Sequence, residues 1–226
     1  MSNARHEYDK LVADRRTILT GLGALTVLAP LAPLPAFARG PATVAVDELM
    51  KPGELKEMTL GNPDAKVTIV EYASLTCPHC ASFHKNIYPE LKSKYIDTGK
   101  VLFVFRDYPL DERAEAGSML AHCLGGQTGL AMVSELFKRQ AEWAFVPGNV
   151  VEARLFDIAK QAGFTKASFE KCLTDQKLLD QITAVAKRAS TTFGVNATPT
   201  FFVNGKRLDG RSMADFEKVI DPLLKG

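Results

Sequence analysis

The chain has 226 residues, 46% apolar and 24% charged, with a formal net charge of +2. That is enough for one medium domain, or a small domain carrying an insertion, with a core of useful size. Lys and Arg are spread along the chain and form no long block, so charge gives no argument for nucleic acid or an acidic surface as partner.

Residues 1–38 do not read as part of a fold. Arg15-Arg16 precede a mildly apolar stretch from Ile18 to Leu34, which contains Gly21, Gly23, Pro30 and Pro33, and Ala36-Phe37-Ala38 follows. A charged start, an apolar middle and a small-x-small end is the order of a cleaved export signal. The run Arg15-Arg16-Thr17-Ile18-Leu19 resembles a twin-arginine signal, which is an address; the general export route stays open beside it. A membrane anchor is the alternative, weakened by the prolines and by a length at the short limit for a span. Cleavage near Ala38 places the mature chain in the periplasm or another extracytoplasmic space, where disulfides persist.

Residues 39–66 form a lead-in punctuated by Pro41, Pro52, Gly53, Gly61 and Pro63, with Leu55 to Leu60 as a candidate edge strand. Val67 to Tyr72 is a strand by its β-branched content. A helix is predicted to start at Cys77, because Pro78 suits a first turn, where its missing N–H has no partner to lose. Phe83, Ile87 and Leu91 continue it at helical spacing, and Pro89 should kink or break it. Val101 to Tyr108 is a second apolar strand. From Asp111 to about Phe193 the chain reads as helical, with breaks at Gly125-Gly126, Pro147-Gly148 and Gly163. Thr198-Pro199-Thr200 opens a third strand, Phe201 to Val203. Asn204-Gly205 is a strong hairpin turn leading to Lys206-Arg207-Leu208. Ser212 can cap a last helix carrying Met213, Phe216, Val219, Ile220 and Leu223. The order predicts an α/β domain over 67–226, with a mixed sheet, helices on both faces and a helical insertion at about 111–193.

Four cysteines are present, Cys77 and Cys80 close together, Cys123 and Cys172 far apart. Only a thiolate attacks a disulfide, and free amides at a helix start, with the macrodipole, favour an anion at Cys77. His79 adds a donor, and a positive charge when protonated, in the same turn. Cys80 lies one turn deeper, as a shielded partner. A stabilised Cys77 thiolate favours the reduced protein and makes the oxidised form a disulfide donor. A zinc site using Cys77, His79, Cys80 and His84 is the competing reading; it fails on spacing, because Cys123 and Cys172 supply no second close pair. A purely structural Cys77–Cys80 bridge would close a tiny loop and stabilise little. Thr198-Pro199, at a strand start, is a place where a cis bond is kept, although base rates favour an ordinary trans turn. Cys123 and Cys172 form either a structural disulfide, which an oxidising compartment favours, or two buried free thiols. His122 reads as a helix-surface residue and Trp143 as core.

With Val70-Glu71-Tyr72 before Cys77-Pro78-His79-Cys80, and with the run from Gly194 through Thr198-Pro199 to Asn204-Gly205, the chain resembles the DsbA family of periplasmic thiol–disulfide oxidoreductases over roughly Val67 to Leu224. The resemblance implies a thioredoxin-like fold with a helical insertion, no cofactor beyond the redox-active disulfide, and a low-pKa first cysteine in an oxidising couple. It makes Cys77 the nucleophile, His79 the tuner of its pKa, Cys80 the resolving thiol, and Pro199 a cis-proline, with the Thr198 backbone pairing with substrate. Glu71 would be a buried acid able to take the Cys80 proton; the plain alternative is an edge-strand glutamate facing water. Partners would be reduced exported polypeptides and a membrane reoxidant of the DsbB type, and the chain would be a monomer. Thr198, where the best-known oxidases carry Val, is commoner in the isomerase branch, and Leu75-Thr76 replaces an aromatic approach to the first cysteine. Pro78-His79 favours the oxidase, as does a lead-in too short for the isomerase dimerisation domain. Isomerase or reductase activity remains the alternative within the fold; a redox-silent binding module or metal chaperone is the alternative outside it.

Overall fold

The computed structural model describes residues 42–225. The expected export signal lies outside them. Five strands form one mixed sheet in the order β1-β3-β2-β4-β5. They are β1 (Met58–Gly61), β2 (Val67–Ala73), β3 (Val101–Asp107), β4 (Thr200–Val203) and β5 (Lys206–Arg207). β2 runs parallel to β3, with Val67 opposite Val101 and Ala73 opposite Asp107. It runs antiparallel to β4, with Glu71 opposite Phe201. β1 and β5 are antiparallel edges. Being central and covered on both faces, β2 is a nearly continuous buried run instead of an alternating one.

Alternation along the strands still sorts side chains between two cores. On one face Val67, Ile69, Ala73, Phe103, Phe105, Phe201 and Val203 meet the helices that follow β2 and most of the helical segment. On the other, Val70, Tyr72, Val104 and Phe202 meet Leu49, Ala189 and Phe193.

Ten α-helices are described: α1 (Val46–Met50), α2 (Pro78–Asn86), α3 (Tyr88–Leu91), α4 (Glu112–Leu124), α5 (Gly126–Lys138), α6 (Gln140–Trp143), α7 (Gly148–Ala159), α8 (Lys166–Leu173), α9 (Gln176–Phe193) and α10 (Met213–Lys225). The break expected from Pro89 falls between α2 and α3, and a π-helical turn, Lys92–Ile96, follows. Asp111 caps α4 by accepting from the Ala114 N–H at 2.9 Å. Thr165 and Ser168 form a capping box on α8, and Asp175 caps α9. Ser212 and Asp215 bond reciprocally at the start of α10. Asn204 and Gly205 take φ of 44° and 79°, the positive values that a tight two-residue hairpin needs. Gly205 has a second reason to be glycine, since a Cβ there would run into the Val44 carbonyl.

Three expectations need correction. The edge strand starts at Met58, the first residue to pair with β3; Glu57 turns its carboxylate onto Arg106 instead. The lead-in carries a helix, α1, held by Leu49 against the Tyr72 face. His122 is not a surface residue: its side chain is 6% exposed and lies 2.7 Å from the Asp107 carboxylate at the end of β3. Trp143 is fully buried, its indole N–H donating to the Leu136 carbonyl at 2.9 Å. Cys123 of α4 and Cys172 of α8 are joined by a disulfide.

Candidate redox site

Where β2 ends, the chain makes a short turn and enters α2. Cys77 is the N-cap residue of α2, with extended backbone, and Pro78 occupies the first turn. The turn is braced from several directions. The Cys77 N–H donates to the Ser74 carbonyl at 3.0 Å. Thr76 donates its hydroxyl to Asp111 at 2.8 Å, which ties the turn to the cap of α4. Gln140 of α6 donates to the carbonyls of both Leu75 and Cys77, at 2.8 and 3.0 Å. The helical segment therefore reaches into the turn and holds it. Sequence reasoning missed Gln140, because nothing local distinguishes it from any other helix glutamine.

Cys77 and Cys80 are both free thiols and both buried. Across from them, the Thr198–Pro199 peptide is cis, and the Cys77 thiol lies 3.3 Å from the Thr198 carbonyl, which accepts its weak hydrogen bond. The Cys77 thiol is held well below the usual range, at about 5. Its largest cause is the hydrogen bond from the Cys80 thiol. Burial opposes the shift; the Thr198 side chain and the backbone N–H groups of Cys80 and His79 support it. His79 thus acts on the sulfur through its backbone N–H, while its imidazole lies exposed. Burial pushes the Cys80 thiol strongly upward, and the charges of Glu71 and Cys77 push the same way. One sulfur is an anion at neutral pH and its neighbour a thiol. That asymmetry suits exchange, with Cys77 as attacking and leaving sulfur and Cys80 as the protonated partner.

Glu71 is completely buried on the central strand, which excludes the edge-strand alternative. It faces the same core as α2, and His84 of α2 sits 2.9 Å from its Oε2. The imidazole stacks on Phe137 at 4.3 Å between ring centres. His84 entered the sequence reading only as a crowding metal ligand. Its place four residues after Cys80, on the same helix face, is the signal that links it to the pair. Among the described residues no group of three His, Cys, Asp or Glu side chains is placed to hold a metal ion.

Beside the turn lies a cavity of about 360 Å³ lined by Thr76, Asp111, Arg113, Ala144 and Phe145. Leu110 and Phe145, 56% and 59% exposed, are two of the three exposed large apolar side chains among the described residues. A second cavity, of about 420 Å³, lies on the face lined by Tyr72. Its Arg106 is tied to Glu57, the Tyr72 hydroxyl and the Leu49 carbonyl.

A family model described as thioredoxin matches residues 54–222. The crystal structure of alpha-DsbA1 from Wolbachia pipientis is similar with a TM-score of 0.73 and 34% identity, covering 80% of this chain and 96% of that one. A Rickettsia bellii protein provisionally named a protein-disulfide oxidoreductase is 35% identical over 170 residues, 75% of this chain. The chain spans 65% of that relative's length. BdbD from Bacillus subtilis in its oxidised form shares the fold, with a TM-score of 0.68 at 23% identity over 75% of this chain and 94% of that one.

Proposed function

This chain belongs to the DsbA-like protein-disulfide oxidoreductases of the thioredoxin fold, and from that premise we propose that it introduces disulfides into exported polypeptides through the Cys77–Cys80 couple. The observation that carries the reading is the pair's setting: Cys77 caps the start of α2 against the cis Thr198–Pro199 peptide with the buried Cys80 thiol beside it, a setting that holds the Cys77 thiol well below its usual range. A sulfur that is comfortable as an anion is a good leaving group, so the oxidised couple gives its disulfide away readily.

The chemistry runs in two displacements. A substrate thiolate attacks Cys77 Sγ; the Cys77–Cys80 bond breaks, and Cys80 leaves with the electron pair and gains a proton. A second substrate thiolate then attacks the substrate sulfur of the mixed disulfide and expels Cys77 as thiolate. The substrate loses two electrons and the protein gains them. A quinone-linked membrane partner of the DsbB type would take them on. Glu71 would serve the Cys80 proton. The substrate segment would lie extended against Thr198 and Pro199, with an apolar side chain in the cavity lined by Thr76, Ala144 and Phe145. Export through the Arg15-Arg16 signal would place this activity in the periplasm or a comparable space.

The test is oxidation of a reduced, unfolded protein bearing paired cysteines, followed by loss of free thiols. One substrate disulfide is expected per protein disulfide consumed, with no oxidation by Cys77→Ser; undiminished oxidation by that variant sinks the proposal. The reduction potential of the couple should lie well above that of thioredoxin, about −270 mV. A second reading, isomerisation, draws on Thr198 before the proline and on the resting thiolate. Faster rescue of a scrambled substrate than oxidation of a reduced one would favour it.

A further inference from the structure

A buried carboxylate needs donors for its oxygens, and Glu71 has few to choose from. Its Oε2 is met by His84 Nε2 at 2.9 Å, while Oε1 has no hydrogen-bond partner. Both side chains are shut away from water, His84 at 5% exposure and Glu71 at none. Aromatic rings hold the imidazole in place: Phe137 stacks on it, Tyr88 lies 4.9 Å away and tilted, and Phe83 and Phe105 present edges. The titratable groups around it are Glu71 from β2, Tyr88 from α3 and Cys80 from its own helix. Among the described residues no Lys or Arg bonds to the pair.

Cys80 and His84 sit one turn apart on the buried face of α2, above the strand that carries Glu71. The charge of Glu71 acts on the Cys80 thiol. Cys80 cannot attack a mixed disulfide as a thiol; its proton must go to a base that is already in place. We propose that His84 is the positioning residue of this step: its Nε2–H donates to Oε2, fixes the Glu71 carboxylate, and leaves Oε1 to receive the Cys80 proton. When Cys80 resolves a mixed disulfide, its Sγ attacks Cys77 Sγ, the Cys77–Cys80 bond forms, the bound thiol leaves as thiolate, and Glu71 keeps the proton. In the reverse direction the same proton returns to Cys80 as it leaves. This inference rests on Cys77–Cys80 being the exchange centre.

An aromatic disulfide with a coloured thiolate product separates the two sulfurs. The reduced protein releases one thiolate when Cys77 attacks and a second when Cys80 resolves the adduct. In His84→Phe, which keeps the stacking ring but not the donor, the second release should slow about tenfold at neutral pH, part of what positioned proton transfer contributes. It should recover as pH rises, while the first release stays at the wild-type rate. His84→Gln, which keeps an N–H donor, should resolve within about twofold of wild type. In a Glu71→Gln background, where no carboxylate needs holding, His84→Phe should add no further slowing. The inference is overturned by wild-type second release in His84→Phe, by equal slowing of both releases, by a Gln variant as slow as the Phe variant, or by further slowing in the double variant. Absence of the first release in the wild type would instead sink the exchange reading itself.

Discussion

The two cysteine pairs use the same sulfur chemistry in opposite settings. Cys77 and Cys80 stand three residues apart at the start of α2, and the Cys80 thiol, the Thr198 side chain and two backbone N–H groups all favour the Cys77 anion, against the Thr198 carbonyl, which accepts from the thiol. Cys123 and Cys172 are 49 residues apart and join α4 to α8. A buried carboxylate–imidazole pair accompanies each. Glu71 and His84 bind β2 to α2, and Asp107 and His122 bind β3 to α4, one residue before Cys123. What differs is the backbone. At a helix start free N–H groups are available to a sulfur, whereas inside two helices every N–H is spent on the ladder. The first setting makes a reactive thiolate, the second a fastening between helices.

The most forceful way to break this comparison is to remove the fastening. Cys123→Ala with Cys172→Ala opens a loop of 49 residues, and the chain-entropy relation puts the loss of stability at about 4 kcal/mol. Equilibrium denaturant unfolding would read it, and the variant should still release thiolate from an aromatic disulfide at Cys77. Loss of exchange in a variant that remains folded would mean that the second pair belongs to the reaction.

The next effect concerns pH. The Cys77 thiol is lowered from 9.0 to about 5 in the folded, reduced protein. A lowered acid stabilises the folded state fully above the unfolded pKa, and that contribution is lost as pH falls through the folded pKa. The oxidised protein has no such thiol. Reduced protein should therefore gain stability over oxidised protein as pH rises between about 5 and 9, and lose that gain on acidification. Thermal unfolding of both forms across this window checks the sign. Thiolate absorbance should titrate with a midpoint near 5; a midpoint near 9 would erase the contrast between the two pairs.

Much of this was legible in the residues. The β-branched run from Val67 and the apolar run from Val101 became adjacent parallel strands. Asn204-Gly205 became the hairpin, and Pro78 marked the helix start. These are signals that local chemistry decides. The resemblance supplied the thioredoxin-like arrangement and pointed to Glu71. What stayed hidden depends on distant partners. The five residues of α1 carry no readable period, and Arg188 reaches across to bond the carbonyls of Glu48 and Lys51. His122 looked like surface, yet it follows buried Ala114 and Ser118 at intervals of four, so its face was readable although its partner Asp107 was not. His84 carried the same kind of signal relative to Cys80.

Gln140 is one of the points where the helical segment meets the turn before α2, and it gives the smallest and most discriminating effect. Its side-chain N–H groups serve two carbonyls of the turn before α2. In Gln140→Leu the Cys77 carbonyl keeps the Ala81 N–H, at 3.1 Å, but the Leu75 carbonyl loses the bond from Gln140 in a buried place. An unmet buried acceptor costs about 1–3 kcal/mol, and the added apolar packing of Leu offsets part of that. Stability should therefore fall by about 1–2 kcal/mol. The groups that hold the Cys77 thiolate come from α2 and Thr198 rather than from α6, so its titration midpoint should stay near 5. A midpoint that climbs in Gln140→Leu would show that the helical segment sets the thiolate by positioning the turn. The reactive pair would then owe its character to the insertion as well as to the start of α2.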